Sequence, residues 1–123
     1  METSVNNKCK AFTSLEQSRK LAEILPLESA DMWYGNEDSY KIAISKWEED
    51  EHDEDDVPCW SLAALLDVLP EHNIQKTDWG NDNKVEYKIV VYIHGNVYGS
   101  NNYDNPIDAC VEMVLKLHEL KRL

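Results

Sequence analysis

Apolar positions along this chain recur with two periods, every three to four residues or every second residue, and the alternation between them marks out the elements. Thr13-Ser14-Leu15-Glu16-Gln17 reads as a helix start. Thr13 or Ser14 can cap, and Glu16 or Gln17 falls three residues on. Leu15, Leu21, Ala22, Ile24 and Leu25 then supply an apolar face, opposite Glu16, Gln17, Arg19, Lys20 and Glu23. Pro26 ends it, because the residue before a proline is pushed out of the helical region. Residues 1–12 are polar and aperiodic, a frayed leader.

The rhythm then shortens. Asp31 to Tyr34 predicts a brief aromatic strand, and Gly35-Asn36-Glu37-Asp38 a turn. From Tyr40 to Trp47, Tyr40, Ile42 and Ile44 alternate with Lys41, Ala43 and Ser45, which predicts a half-buried strand and a hairpin. Pro58-Cys59-Trp60-Ser61 opens a second helix, Leu62 to Leu69, halted by Pro70. Only Asp67 is charged within it, so it must be enclosed on nearly all sides. His72 to Asn83 is polar and reads as a connection. Val85 to Ile93 is the strongest strand, with Val85, Tyr87, Ile89, Val91 and Ile93 on one face. Gly95-Asn96 is the expected two-residue turn into a short strand at Val97 to Gly99.

Asp104-Asn105-Pro106 starts the last helix, with a capping side chain and proline in the first turn. It runs to about Lys121. Asp108, Glu112, Lys116 and Glu119 form one narrow charged stripe, and most of the rest is apolar. Such a wide apolar arc needs more cover than one sheet face, so the helix lies either between the sheet and another helix or partly against a partner chain.

Two halves of the chain echo each other. Leu21-Ala22-Glu23-Ile24-Leu25-Pro26 parallels Leu65-Leu66-Asp67-Val68-Leu69-Pro70, and Trp33 with Gly35-Asn36 parallels Trp79-Gly80-Asn81. Tyr40-Lys41-Ile42-Ala43-Ile44 parallels Tyr87-Lys88-Ile89-Val90-Val91. The resulting expectation is one α+β domain over residues 13–123. It has an antiparallel sheet of four to five strands, three helices packed mainly on one face, and an αββ-αββ-α pseudo-repeat.

At 123 residues the chain has room for one core and not two. No run approaches the roughly 18 apolar residues that cross a bilayer, and the first residues lack the apolar stretch of a secretory signal. A cytoplasmic protein is expected. Three cysteines, Cys9, Cys59 and Cys110, are too few and too scattered for a disulfide framework or a zinc site, and Cys59 and Cys110 read as small core residues. No cofactor or metal is expected.

The net charge of −12 is concentrated in one place. Eight of the 24 acidic residues lie in Glu48-Glu49-Asp50-Glu51-His52-Asp53-Glu54-Asp55-Asp56, and without them the chain carries sixteen acids against twelve bases. Three readings fit this run: a solvated loop kept extended by like-charge repulsion, a lure for a basic protein partner, or a loose divalent-cation trap. It lacks the glycine and ligand spacing of an EF-hand. So acidic a chain is not built to bind nucleic acid directly.

Pro58-Cys59-Trp60-Ser61-Leu62 with the Leu69-Pro70 stop, and Asp104-Asn105-Pro106-Ile107-Asp108-Ala109-Cys110 leading to Leu117-His118-Glu119, resemble small proteins of Bacteroides-type bacteria and their prophages or mobile elements. The resemblance covers about Cys59 to the C-terminus. It implies a phage-associated setting and transfers no activity and no catalytic residue.

There is no GxSxG motif and no glycine-rich phosphate loop. Among the aromatics, Trp33, Tyr34, Trp47, Trp79, Tyr92 and Tyr98 fall on or beside predicted strands, where cross-strand packing uses them. Val90, Tyr92 and His94 share the strand face opposite Ile89 and Val91. Left uncovered by a helix, they would offer a patch to a partner or a second subunit. The leading expectation is a non-catalytic interaction or regulatory protein using Glu48–Asp56 or that strand face, with a homodimer through the last helix or the Tyr92 face as a further form. The rival is a small enzyme pairing the loop carboxylates with His52 or His94.

Overall fold

The computed structural model of this protein describes residues 11–34, 42–43, 57–80 and 84–123. Among them are three α-helices and two antiparallel sheets, so the α+β class holds but the strands do not form one sheet.

The first helix, α1 (Leu15–Ala22), begins with a capping box. The Ser14 hydroxyl accepts the Gln17 N–H, and the Gln17 amide oxygen accepts the Ser14 N–H. The chain leaves it through a turn that buries Leu25, and after Pro26 makes a short 3-10 turn at Leu27–Ser29. The first sheet has the order β2-β1-β3, with β1 (Met32–Tyr34) central, β2 (Ile42–Ala43) on one side and β3 (Val57–Cys59) on the other. The β1–β2 pairing is the expected hairpin partner set, with Trp33 opposite Ala43.

β3 departs from expectation. Pro58-Cys59 was expected to open the second helix and instead forms an edge strand, with Pro58 opposite Trp33. An edge is where a residue without an N–H is tolerated in a sheet. The helix proper, α2 (Leu62–Val68), starts one residue after its cap, Ser61, whose hydroxyl accepts the Ala64 N–H.

The second sheet has the order β4-β5-β6: β4 (His72–Asp78), β5 (Val85–Ile93) and β6 (Asn96–Gly99). β4 is a seven-residue strand in the segment expected to be a connection. It pairs with β5 from His72 opposite Val91 to Asp78 opposite Val85. Its residues from Asn73 onward are exposed, so no apolar alternation was needed to build it. The β5–β6 turn is His94-Gly95, one residue earlier than expected. Both residues have positive φ, 48° and 85°, the combination a type I′ turn requires. Beyond β6, Ser100 continues the pairing: its hydroxyl accepts the Ile89 N–H at 3.0 Å, and its own N–H reaches the Ile89 carbonyl at 2.9 Å. Tyr103 then exchanges two backbone bonds with Tyr87.

The last helix, α3 (Pro106–Glu119), is capped by Asn105 and carries proline in its first turn, as expected. It packs against α2, β5 and α1, which resolves its wide apolar arc within the monomer. Ile107, Met113, Val114 and Leu117 are fully buried and meet Ile89 and Val91 of β5, Leu65 of α2 and Leu21 of α1 in one cluster. Each such side chain contributes about 1.5–3 kcal/mol of burial. Both described cysteines, Cys59 and Cys110, are free and buried, in the core role the sequence assigned.

The αββ-αββ-α pseudo-repeat is not supported by the structure, although its two helices bury matching leucines. Leu21 and Leu65 are both fully buried, and Leu25 and Leu69 nearly so. Its strand halves diverge. Trp33 is buried at 2% exposure inside a three-residue strand, whereas Trp79 stands 55% exposed past the end of β4. The strands therefore form two sheets in place of the single one expected.

Candidate functional site

Two polar constellations stand out, one sealed and one open. The sealed one centres on Thr13, fully buried beside β3. Its hydroxyl shares a 2.7 Å hydrogen bond with the buried Ser18 hydroxyl and accepts the Trp60 N–H at 3.2 Å. Its carbonyl accepts the Tyr34 hydroxyl at 2.7 Å, and Cys59 Sγ lies 3.6 Å from both oxygens. Burial pushes the Cys59 thiol up from its ordinary value, and burial reinforced by the nearby thiol pushes Tyr34 up to about 12. Cys110 is likewise pushed up to about 12 by burial. A nucleophilic cysteine needs the opposite shift, toward thiolate. This constellation is a structural hub.

The open constellation is a cleft of about 550 Å³ between α1 and α3. The two capped helix starts form one end of it. Gln17, while completing the α1 cap, donates from Nε2 to Asp108 Oδ1 at 2.8 Å. Asp108 Oδ2 accepts Asn105 Nδ2 at 2.9 Å, and the Asp108 N–H donates to Asn105 Oδ1. One turn on, Glu112 Oε1 accepts the Tyr103 hydroxyl at 2.8 Å and the Asn101 N–H at 2.9 Å. Burial, then the Glu112 hydrogen bond and charge, raise the Tyr103 pKa. Val111 and Leu115 give the cleft apolar lining, and Glu16 and Lys20 stand exposed at its rim. Three carboxylates thus face one ammonium around a partly apolar trough. Neither histidine nor cysteine lines it.

Most sequence-predicted site residues lie elsewhere. The run Glu48, Glu49, Asp50, Glu51, His52, Asp53, Glu54, Asp55 and Asp56 is outside the described residues. Val90 is buried at 6% exposure, and Tyr92 is half-buried with its hydroxyl accepting Asn73 Nδ2 at 3.1 Å. His94 is exposed in the β5–β6 turn. The exposed apolar residue beside them is Val97, opposite Tyr92 and 63% exposed. His72 bonds the Pro70 carbonyl through Nδ1 at 2.8 Å. Among the described residues, no group of three or more His, Cys, Asp or Glu is placed to hold a metal ion, and no helix is long and apolar enough to cross a membrane.

The cleft itself went unread in the sequence, although its signals were there. The capping box supplied Gln17, and the charged stripe of α3 supplied Asp108 and Glu112. The stripe's spacing does not show that Asp108, Glu112 and Lys116 are all half-buried and latch neighbouring segments, Lys116 onto the Gly99 carbonyl at 3.0 Å. No protein-family model, curated protein or solved structure matches this chain.

Proposed function

We propose that this is a non-catalytic protein-interaction or regulatory protein whose α1–α3 cleft receives a basic segment of a protein partner. The observation that carries the reading is the cleft's composition. The carboxylates of Glu16, Asp108 and Glu112 border Val111 and Leu115, a trough suited to a lysine or arginine flanked by apolar residues. Asp108 and Glu112 are already oriented by internal hydrogen bonds, so little side-chain freedom is lost on binding. The chain's net charge of −12 favours encounter with a basic partner. A cytoplasmic location and a phage or mobile-element setting belong to the same proposal. Free buried thiols support the first and the sequence resemblance the second.

The test is a chemical-shift titration of isotope-labelled protein with a short amphipathic peptide of alternating lysine and leucine. Saturable shifts are expected at Gln17, Lys20, Asp108 and Glu112. Affinity should fall about tenfold between about 50 and 500 mM salt and again on Glu16→Gln. Shifts scattered over the surface, or insensitive to Glu16→Gln, would reject the cleft as the binding site.

A further inference from the structure

The two half-buried carboxylates of the α1–α3 cleft differ in what they have left to offer. Both oxygens of Asp108 already accept a side-chain amide, Oδ1 from Gln17 at 2.8 Å and Oδ2 from Asn105 at 2.9 Å. Glu112 is lopsided. Its Oε1 takes the Tyr103 hydroxyl at 2.8 Å and the Asn101 N–H at 2.9 Å, which occupies both lone pairs of that oxygen. Among the described residues, its Oε2 accepts no hydrogen bond and pairs with no lysine or arginine, Lys20 on the cleft rim included.

We propose that Glu112 Oε2 is the anchor of the cleft and that the basic residue it takes is lysine in preference to arginine, an inference that rests on the cleft receiving a basic segment at all. A guanidinium owes its hold on a carboxylate to two parallel N–H···O bonds, one to each oxygen. With Oε1 occupied, Glu112 cannot accept the second. An ammonium is a point charge with rotatable donors, and one open oxygen is enough for it. Its other donors are left for Glu16 and water at the rim, while its aliphatic stem lies along Val111 and Leu115. Asp108 is a positioning residue: through Gln17 it ties the start of α1 to α3.

The two bonds on Oε1 also fix the plane of the carboxylate, so Oε2 is presented without further loss of side-chain freedom. Negative charge in general does not select lysine. Where both oxygens of a carboxylate are open, arginine has the advantage, because it is more weakly hydrated and its fork is already planar. A preference for lysine is therefore the signature of a carboxylate occupied on one side, and the Tyr103 hydroxyl is the group that sets it.

Titration of the isotope-labelled full chain with two peptides, one alternating lysine and leucine and one alternating arginine and leucine, tests this, with Kd read from the cleft amides. The lysine peptide should bind at least about threefold more tightly. Glu112→Gln keeps an oxygen for Tyr103 and Asn101 but places an amide NH2 where Oε2 stood, so its affinity for the lysine peptide should fall at least about tenfold. Tyr103→Phe opens Oε1 to the second guanidinium bond, so the preference for lysine should shrink or invert. If Glu112→Gln loses its fold, Tyr103→Phe carries the test alone. Equal or tighter binding of the arginine peptide by the unaltered chain, full affinity in a folded Glu112→Gln, or an undiminished lysine preference in Tyr103→Phe would overturn the lysine assignment and leave the cleft standing. Absence of saturable shifts with either peptide would overturn both.

Discussion

β1 and β4 occupy opposite situations in their sheets. β1 is three residues long and central, with Trp33 and Tyr34 buried at 2% and 7% exposure. β4 is seven residues long, lies at an edge, and exposes every residue after His72. The shorter strand is held by its surroundings: both neighbours, and the Tyr34 hydroxyl on the Thr13 carbonyl. The longer one is held almost entirely by its backbone ladder to β5. Strand length and stabilising burial are thus separable.

That contrast can be broken in a graded series. Trp33→Ala should cost about 3–5 kcal/mol, the range for removing a large aromatic from a core, read by urea unfolding. A loss under about 1 kcal/mol would mean that the first sheet collapses freely around the gap. Thr13→Val should cost about 1–3 kcal/mol, because the Trp60 N–H and the Ser18 hydroxyl lose their shared buried partner. Thr13→Ser, keeping the hydroxyl, should recover most of it.

Alkaline unfolding probes buried groups with a smaller effect. Cys110 and Tyr34 stay protonated in the folded protein until about 12, against ordinary values of 9.0 and 10.0. Between those values the unfolded chain holds fewer protons than the folded one. Stability is therefore full below about pH 9 and falls as pH climbs toward 12. Cys110→Ala should flatten the onset of that decline, measured as Tm against pH, and an unchanged slope would remove Cys110 as its source. On β4, Ile74→Thr should shift monomer stability by no more than about 0.5 kcal/mol when measured at low micromolar concentration. A large loss there would show that β4 is anchored by more than its ladder.

The same contrast explains which elements could be read from the residues. α1, α2 and α3 were legible because each carries a one-sided or enclosed apolar pattern bounded by a cap and a proline, all local signals. β5 was legible from Val85, Tyr87, Ile89, Val91 and Ile93. β4 was not, since His72-Asn73-Ile74-Gln75-Lys76-Thr77-Asp78 has no buried face to alternate against. β3 was missed because Pro58 suits a helix's first turn as well as a sheet edge, and only its pairing with β1 decides. The cleft was half legible, as Gln17 in a cap and Asp108 and Glu112 in a stripe.

Local chemistry by itself therefore determined the helices, their capped starts, the main strand, and the burial of Cys59 and Cys110. Each depends on residues a few positions apart, whose spacing sets which side of an element is oily. Tertiary structure alone decided that the strands divide into two sheets, that Trp33 is enclosed while Trp79 is not, and that the Gln17 amide reaches Asp108 across 91 positions of chain. Those outcomes depend on which surfaces meet once the chain has folded back on itself, and no short window of residues contains that information.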